Sequence, residues 1–173
     1  MKKNIFCIMA AALTFSYSTL AANAPQLTAK QFIDSVKKEG AQKVIARIPD
    51  ADNGEWDYIM HNITSGNDDW LKAVPWVSGT NSEAWHEDII SALAVAIPAN
   101  VEGVMSVIKS GDIAPSINQV CSMPIYNKNI PQLNEYFVQA VQALYKSHTP
   151  KAKKCLEQLV KTVGQAGPFK EVD

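Results

Sequence analysis

Cysteine and histidine are scarce in this chain, three of each, and the histidines (His61, His86 and His148) lie far apart. There is no Cys-x-x-Cys pair and no His-Glu-x-x-His run. A zinc site, which draws four ligands from a short list, therefore has no sequence support. Also absent are the Gly-x-Ser-x-Gly elbow, the phosphate-binding glycine loop and the dinucleotide fingerprint. A net charge of −1 leaves no electrostatic footprint for nucleic acid. No Ser/Gly linker, internal repeat or low-complexity tract divides the chain, and no alternating apolar–polar pattern persists beside hairpin turns. These absences predict a single domain without strands, cofactor, metal ion or catalytic constellation.

What is present begins with an export signal. Lys2 and Lys3 precede a mostly apolar stretch over 5–15, and Ala21, Ala22 and Ala24 supply small residues for cleavage. The apolar run is shorter than the roughly 20 residues that span a bilayer. Residues 1–21 are expected to leave as a signal peptide, cut after Ala21 or Ala22; a cut after Ala24 would put Pro25 in the disfavoured +1 position. Removal takes two lysines and no acid, so 14 basic residues face 17 acidic ones, a formal −3. The remaining chain of about 150 residues suffices for one core burying roughly two-thirds of the unfolded surface. The helical domain is placed at 25–167, with a tail over 168–173. Cys7 departs with the signal, leaving Cys121 and Cys155. Two cysteines in an oxidising compartment suggest one disulfide, and two buried free thiols are the alternative.

Helical signals run through the rest. Thr28 with Gln31 forms a capping-box pattern opening a helix toward Gly40; a short helix over 41–48 ends at Pro49. Trp56, Ile59, Met60 and Ile63 keep helical spacing up to Gly66. Asp68 and Asp69 suit a first turn leading to Trp70, Leu71 and Val74, where Pro75 kinks or ends the helix. Thr80 with Glu83 repeats the capping box before the longest convincing helix, Asn81 to Ile97, whose second half, LAVAI, is apolar all round and so is placed centrally. Asn100 caps a helix bearing Val101, Val104, Met105 and Ile108, stopped by Gly111. The stretch INQVCSMPIYNKNIP (117–131) reads as an irregular crossover. Pro131 then begins a helix with Leu133, Tyr136, Phe137, Ala140, Val141 and Leu144 on one face. Thr149–Pro150 opens the last, with Ala152, Cys155, Leu156, Leu159 and Val163 facing inward and Gly164 as its end. Short connections imply antiparallel neighbours, hence an all-α array, with a curved stack of helix pairs as one form of it.

The segments ITSGNDDWL, GTNSEAWHEDIISALAVAIPANVEGVMSVI, VCSMPI and the late CLEQL together resemble a group of small exported, all-helical proteins of Gram-negative bacteria. That group pairs a Gly-Asp/Asn-x-x-Trp-Leu turn with an alanine-rich helix, an Asn-started helix and a Cys-small-x-Pro element. The resemblance covers roughly residues 30–160. It implies a helical periplasmic domain and a Cys121–Cys155 pairing, and no activity.

Several clusters invite a chemical reading and yield a plain one. His86, Glu87 and Asp88 are consecutive, and consecutive helical residues do not face one another, so a solvated face is expected. A calcium loop starting at Asp50 and running through Asp52 and Asn53 would need glycine sixth and glutamate twelfth; Glu55 and His61 stand there. Trp56, Trp70 and Trp85 suit packing between helices, whereas Trp76 follows a helix-breaking proline and is a candidate for a loop tip that packs or meets a partner. Lys151, Lys153 and Lys154, with Lys146, are candidates to meet an acidic partner or an anionic envelope component; a solvated helix face is the ordinary account. Two functions fit: a non-catalytic periplasmic protein that binds another protein, such as an inhibitor or immunity protein, or an envelope scaffold or small-ligand binder with a groove near Trp76 and the Asn81 to Ile97 helix.

Overall fold

The computed structural model describes residues 26–48, 54–78, 83–109 and 115–166, the side chains at 83, 84 and 166 aside. The expected signal peptide with Cys7, the loop positions Asp50, Asp52 and Asn53, the expected Thr80 cap with the Asn81 helix start, the stop at Gly111 and the tail lie outside those residues. Among the described residues the chain is all-α, with one isolated bridge between Lys109 and Ser116.

The first helix, α1 (Ala29–Glu39), starts as its sequence requires. Gln31 N donates to Thr28 Oγ1, and Thr28 N donates back to Gln31 Oε1 at 2.9 Å, so two otherwise orphaned donors are satisfied. Gly40, at φ +87, lets the chain turn directly into α2 (Ala41–Ala46). Trp56, Ile59 and Ile63 form the buried stripe of α3 (Glu55–Thr64). Two short helices follow, α4 (Asp68–Leu71) and α5 (Val74–Val77). The break falls at Lys72–Ala73, and Pro75 sits in the first turn of α5, where a missing N–H costs nothing.

The second half of α6 (Glu83–Ala96) is central: Leu93, Ala94, Ala96 and the following Ile97 are wholly buried. Its most extensive contact is with α3, and it also touches α7 (Val101–Val107) and α8 (Ile117–Val120). At its start Trp85 packs on Trp56, whose indole N–H donates to Asp88 at 2.9 Å. Asp88 is thus not simply part of a solvated face: it satisfies the polar atom of a buried tryptophan. Trp70 lies between Phe32 and Tyr58, with centroids 5.8 and 5.7 Å away. Three of the four tryptophans therefore pack between helices as expected.

The last two helices, α9 (Ile130–Lys146) and α10 (Pro150–Ala166), are joined by only 147–149 and so must run antiparallel. Tyr136, Ala140 and Leu144 from α9 and Ala152, Cys155 and Leu159 from α10 are buried, as the periodicity predicts. Gly164 does not end α10: the helix continues to Ala166. A Cβ added at Gly164 would meet nothing within 4 Å, so the glycine is simply tolerated on an open face.

Tyr136 reaches across to the central helix, its hydroxyl donating to Ala94 O at 2.9 Å. Burial pushes this phenol well above its ordinary value. An acid whose folded pKa is raised contributes stability that is fully present below the unfolded pKa of about 10 and is lost as pH rises above it. Alkaline unfolding should therefore set in above about pH 10 and be blunted in Tyr136→Phe. That variant should cost only about 1 kcal/mol near neutrality, because Ala94 O also accepts from Ile97 N. Chemical denaturation of both proteins across the alkaline range checks this.

Candidate interaction surface

The predicted covalent tie is present: Cys121 and Cys155 are bonded, both wholly buried, with Cα atoms 5.3 Å apart. The crossover that carries Cys121 is more ordered than expected. Ser116 and Gln119 form a capping box, Gln119 N donating to Ser116 Oγ and Ser116 N to Gln119 Oε1, and the one-turn helix α8 results. A Ser-x-x-Gln pattern ahead of Cys121 was the available signal. Cys121 closes that turn, and the disulfide fastens it to the second turn of α10. Beyond it Met123 takes φ +55, a left-handed conformation costing a residue with a side chain about 1–2 kcal/mol. Met123, Pro124 and the fully displayed Tyr126 (89% exposed) line a cleft of about 350 Å³ against Glu87 and Ile90 of α6.

Trp76 is on the helix α5 rather than at a loop tip. It is 45% exposed, and Lys37 of α1 places its ammonium 4.6 Å from the ring centroid. That cation–π contact covers part of the indole and ties α5 to α1.

The three lysines of the C-terminal cluster divide. Lys151 is committed to the fold, its ammonium donating to Met105 O at 2.8 Å and Ile108 O at 2.7 Å, so it caps the carbonyl end of α7. Lys153 and Lys154 are exposed, and neither they nor Lys146 and Lys161 form an ion pair among the described residues. Lys153 lines a cleft of about 490 Å³ at the turn of the α9–α10 hairpin, with Leu144, Tyr145, His148 and Leu156. The turn is held in place by Ser147, whose hydroxyl donates to Glu102 at the start of α7 at 2.6 Å. Tyr145 (77% exposed), Val138 (53%) and Val160 (51%) stand outside the core. Val138 and Tyr145 are seven apart on α9, and Lys153, Leu156 and Val160 follow helical spacing on α10, so each set shares one face. The cleft touches Tyr145 from the first set and Lys153 and Leu156 from the second, while Val138 and Val160 lie beyond its lining.

Two further clefts run along α6. One, about 300 Å³, lies between α3 and α6 and includes Trp56, Asp57, Asp88 and Ser91; the other, about 390 Å³, includes Pro98, Gln132, Glu135 and Tyr136. They share Val95 and Lys128, and Trp76 lines neither. Among the described residues no group of three or more His, Cys, Asp or Glu side chains is placed to hold a metal ion, and no helix is long and apolar enough to cross a membrane. No known protein family, curated protein or solved structure matches the chain.

Proposed function

We propose that this chain is an exported, non-catalytic periplasmic protein that acts by binding another protein, as an inhibitor or immunity protein does. The observation that carries this reading is the outer face of the α9–α10 hairpin. It combines exposed Val138, Tyr145 and Val160 with lysines that form no ion pair among the described residues, on helices that a buried disulfide and the Ser147–Glu102 hydrogen bond hold in place. Exposed apolar groups grouped beside charge on a rigid scaffold are a mark of protein contact surfaces, where little ordering entropy is lost on docking. The test is protection: cells made to express products of adjacent genes in the periplasm should survive when this protein is co-expressed, and a purified complex should form at a defined ratio. A protein that neither protects nor forms such a complex would refute the reading.

The second reading, an envelope scaffold or small-ligand binder, is favoured by the two neighbouring clefts along α6. Their shared Val95 and Lys128 and mixed polar lining could orient a small polar molecule. Thermal shift against a panel of envelope metabolites, with Lys128→Ala as control, separates it from the first.

A further inference from the structure

The α9–α10 groove has its own charge. Residues 130–166 hold five lysines (Lys146, Lys151, Lys153, Lys154 and Lys161) against two glutamates (Glu135 and Glu157), a formal +3 in a chain whose total is −1. Residues 26–48 carry the same formal +3, but there Lys30 and Arg47 are paired with Asp34 and Glu39, whereas the lysines of the α9–α10 hairpin form no ion pair among the described residues and share it with exposed Val138, Tyr145 and Val160. Lys151 is used by α7, Lys153 lines the groove, and Lys146 and Lys154 are exposed elsewhere on the same hairpin, each one helical step round from a groove residue. A hollow of about 490 Å³ is the size range that accepts a bulky side chain rather than a flat surface.

Resting on the protein-binding reading above, we infer that this groove docks an acidic amphipathic helix of the partner. One large apolar side chain of that helix sits between Tyr145 and Leu156, and its carboxylates meet Lys153, with exposed Lys146 and Lys154 of the same hairpin adding longer-range attraction. A Tyr anchor with a charged margin fits the usual composition of binding hot spots, and complementary charge accelerates encounter and rejects basic partners. The apolar hollow favours a helix over an anionic membrane, which would meet lysines without needing a pocket.

The test uses the whole mature chain and a defined probe, a synthetic amphipathic helix of Leu and Glu with one Trp. Its Lys-for-Glu counterpart and vesicles of phosphatidylglycerol serve as comparisons. Amide shifts on titration of the acidic peptide should be confined to Val138, Tyr145, Lys153, Leu156, Val160 and their neighbours. Tyr145→Ala and the pair Lys153→Glu, Lys154→Glu should each weaken binding by about tenfold or more, with melting temperature unchanged because all three side chains are exposed. The inference is overturned if the peptide gives no shifts at millimolar concentration, if the shifts map elsewhere, if the variants bind as well as the parent, or if the vesicles bind more tightly than the peptide. The two proposals fail separately. A natural complex that forms equally well with the Tyr145→Ala and double-lysine variants would overturn the groove and leave the protein-binding reading standing.

Discussion

Reducing the Cys121–Cys155 bond, or replacing both cysteines with alanine, is expected to lower the unfolding free energy by about 3 to 4 kcal/mol. The bond joins positions 34 residues apart, and the chain-entropy treatment of a loop that long gives this magnitude, although an enthalpic origin has also been argued. The loss should be local before it is global. α8 is a single turn of four residues, far below the length at which a helix holds itself together in water, and it depends on its attachment to α10 and α6. Amides of 117–129 should therefore lose hydrogen-exchange protection first, while α3 and α6 keep theirs. Serine at either position would cost more than alanine, since both sites are wholly buried and a hydroxyl there needs a partner. Denaturant unfolding of the oxidised and alkylated proteins measures the difference. Equal midpoints, or two free thiols in the mass spectrum of the non-reduced protein, would contradict it.

How much of the fold is legible in the sequence depends on whether the cause is local. Helix starts at Thr28, Asn100 and Pro131, the central LAVAI segment and the inward faces of α9 and α10 all follow from side-chain spacing and caps within a few residues. The exceptions have tertiary causes. Gly164 signals a stop, yet α10 continues because the helix's inward face, not that one position, decides its length. Pro75 points to a loop tip for Trp76, but a proline in a first turn starts a helix as readily as it ends one. Lys151 and Lys153 are near neighbours in the sequence, and nothing there tells which will bend back to α7 and which will line a groove; that depends on where the C-terminal end of α7 lies. The groove itself has a faint signal. Val138, Tyr145 and Val160 are apolar residues off the predicted inward stripes, the pattern left when a helix has a second face to cover.

The second large effect is expected at Asn100, where the two polar turns that look unrelated in sequence are one clasp. Its side-chain oxygen accepts from Gly103 N at 2.8 Å, capping α7, while its amide nitrogen donates to Gly66 O at 2.8 Å and to Asp68 Oδ1 at 2.7 Å. One side chain therefore joins the end of α3 and the start of α4 to the start of α7. Gly66, at φ +75, allows the approach, since a Cβ there would lie 2.9 Å from that of Asn100. Asn100→Ala should cost about 2–3 kcal/mol, the sum of a lost N-cap and a lost hydrogen bond to a charged group, discounted because Asp68 can turn to water. Asn100→Asp keeps the acceptor for Gly103 N but has no N–H for Gly66 O and sets a second carboxylate beside Asp68. It should therefore do little better than alanine, although aspartate is ordinarily as good a cap. Gly103 completes the test. A Cβ added there would fall 2.6 Å from Asn100 Nδ2 and 2.6 Å from Leu71 Cδ1, so Gly103→Ala alone should cost about 1–3 kcal/mol by overpacking. In the Asn100→Ala background half of that clash has gone, and the double variant should be less destabilised than the two single losses added together. Strict additivity in denaturant melts would mean that Asn100 and Gly103 do not act as one unit, and that α7 is held against α4 by Leu71 and its apolar neighbours alone.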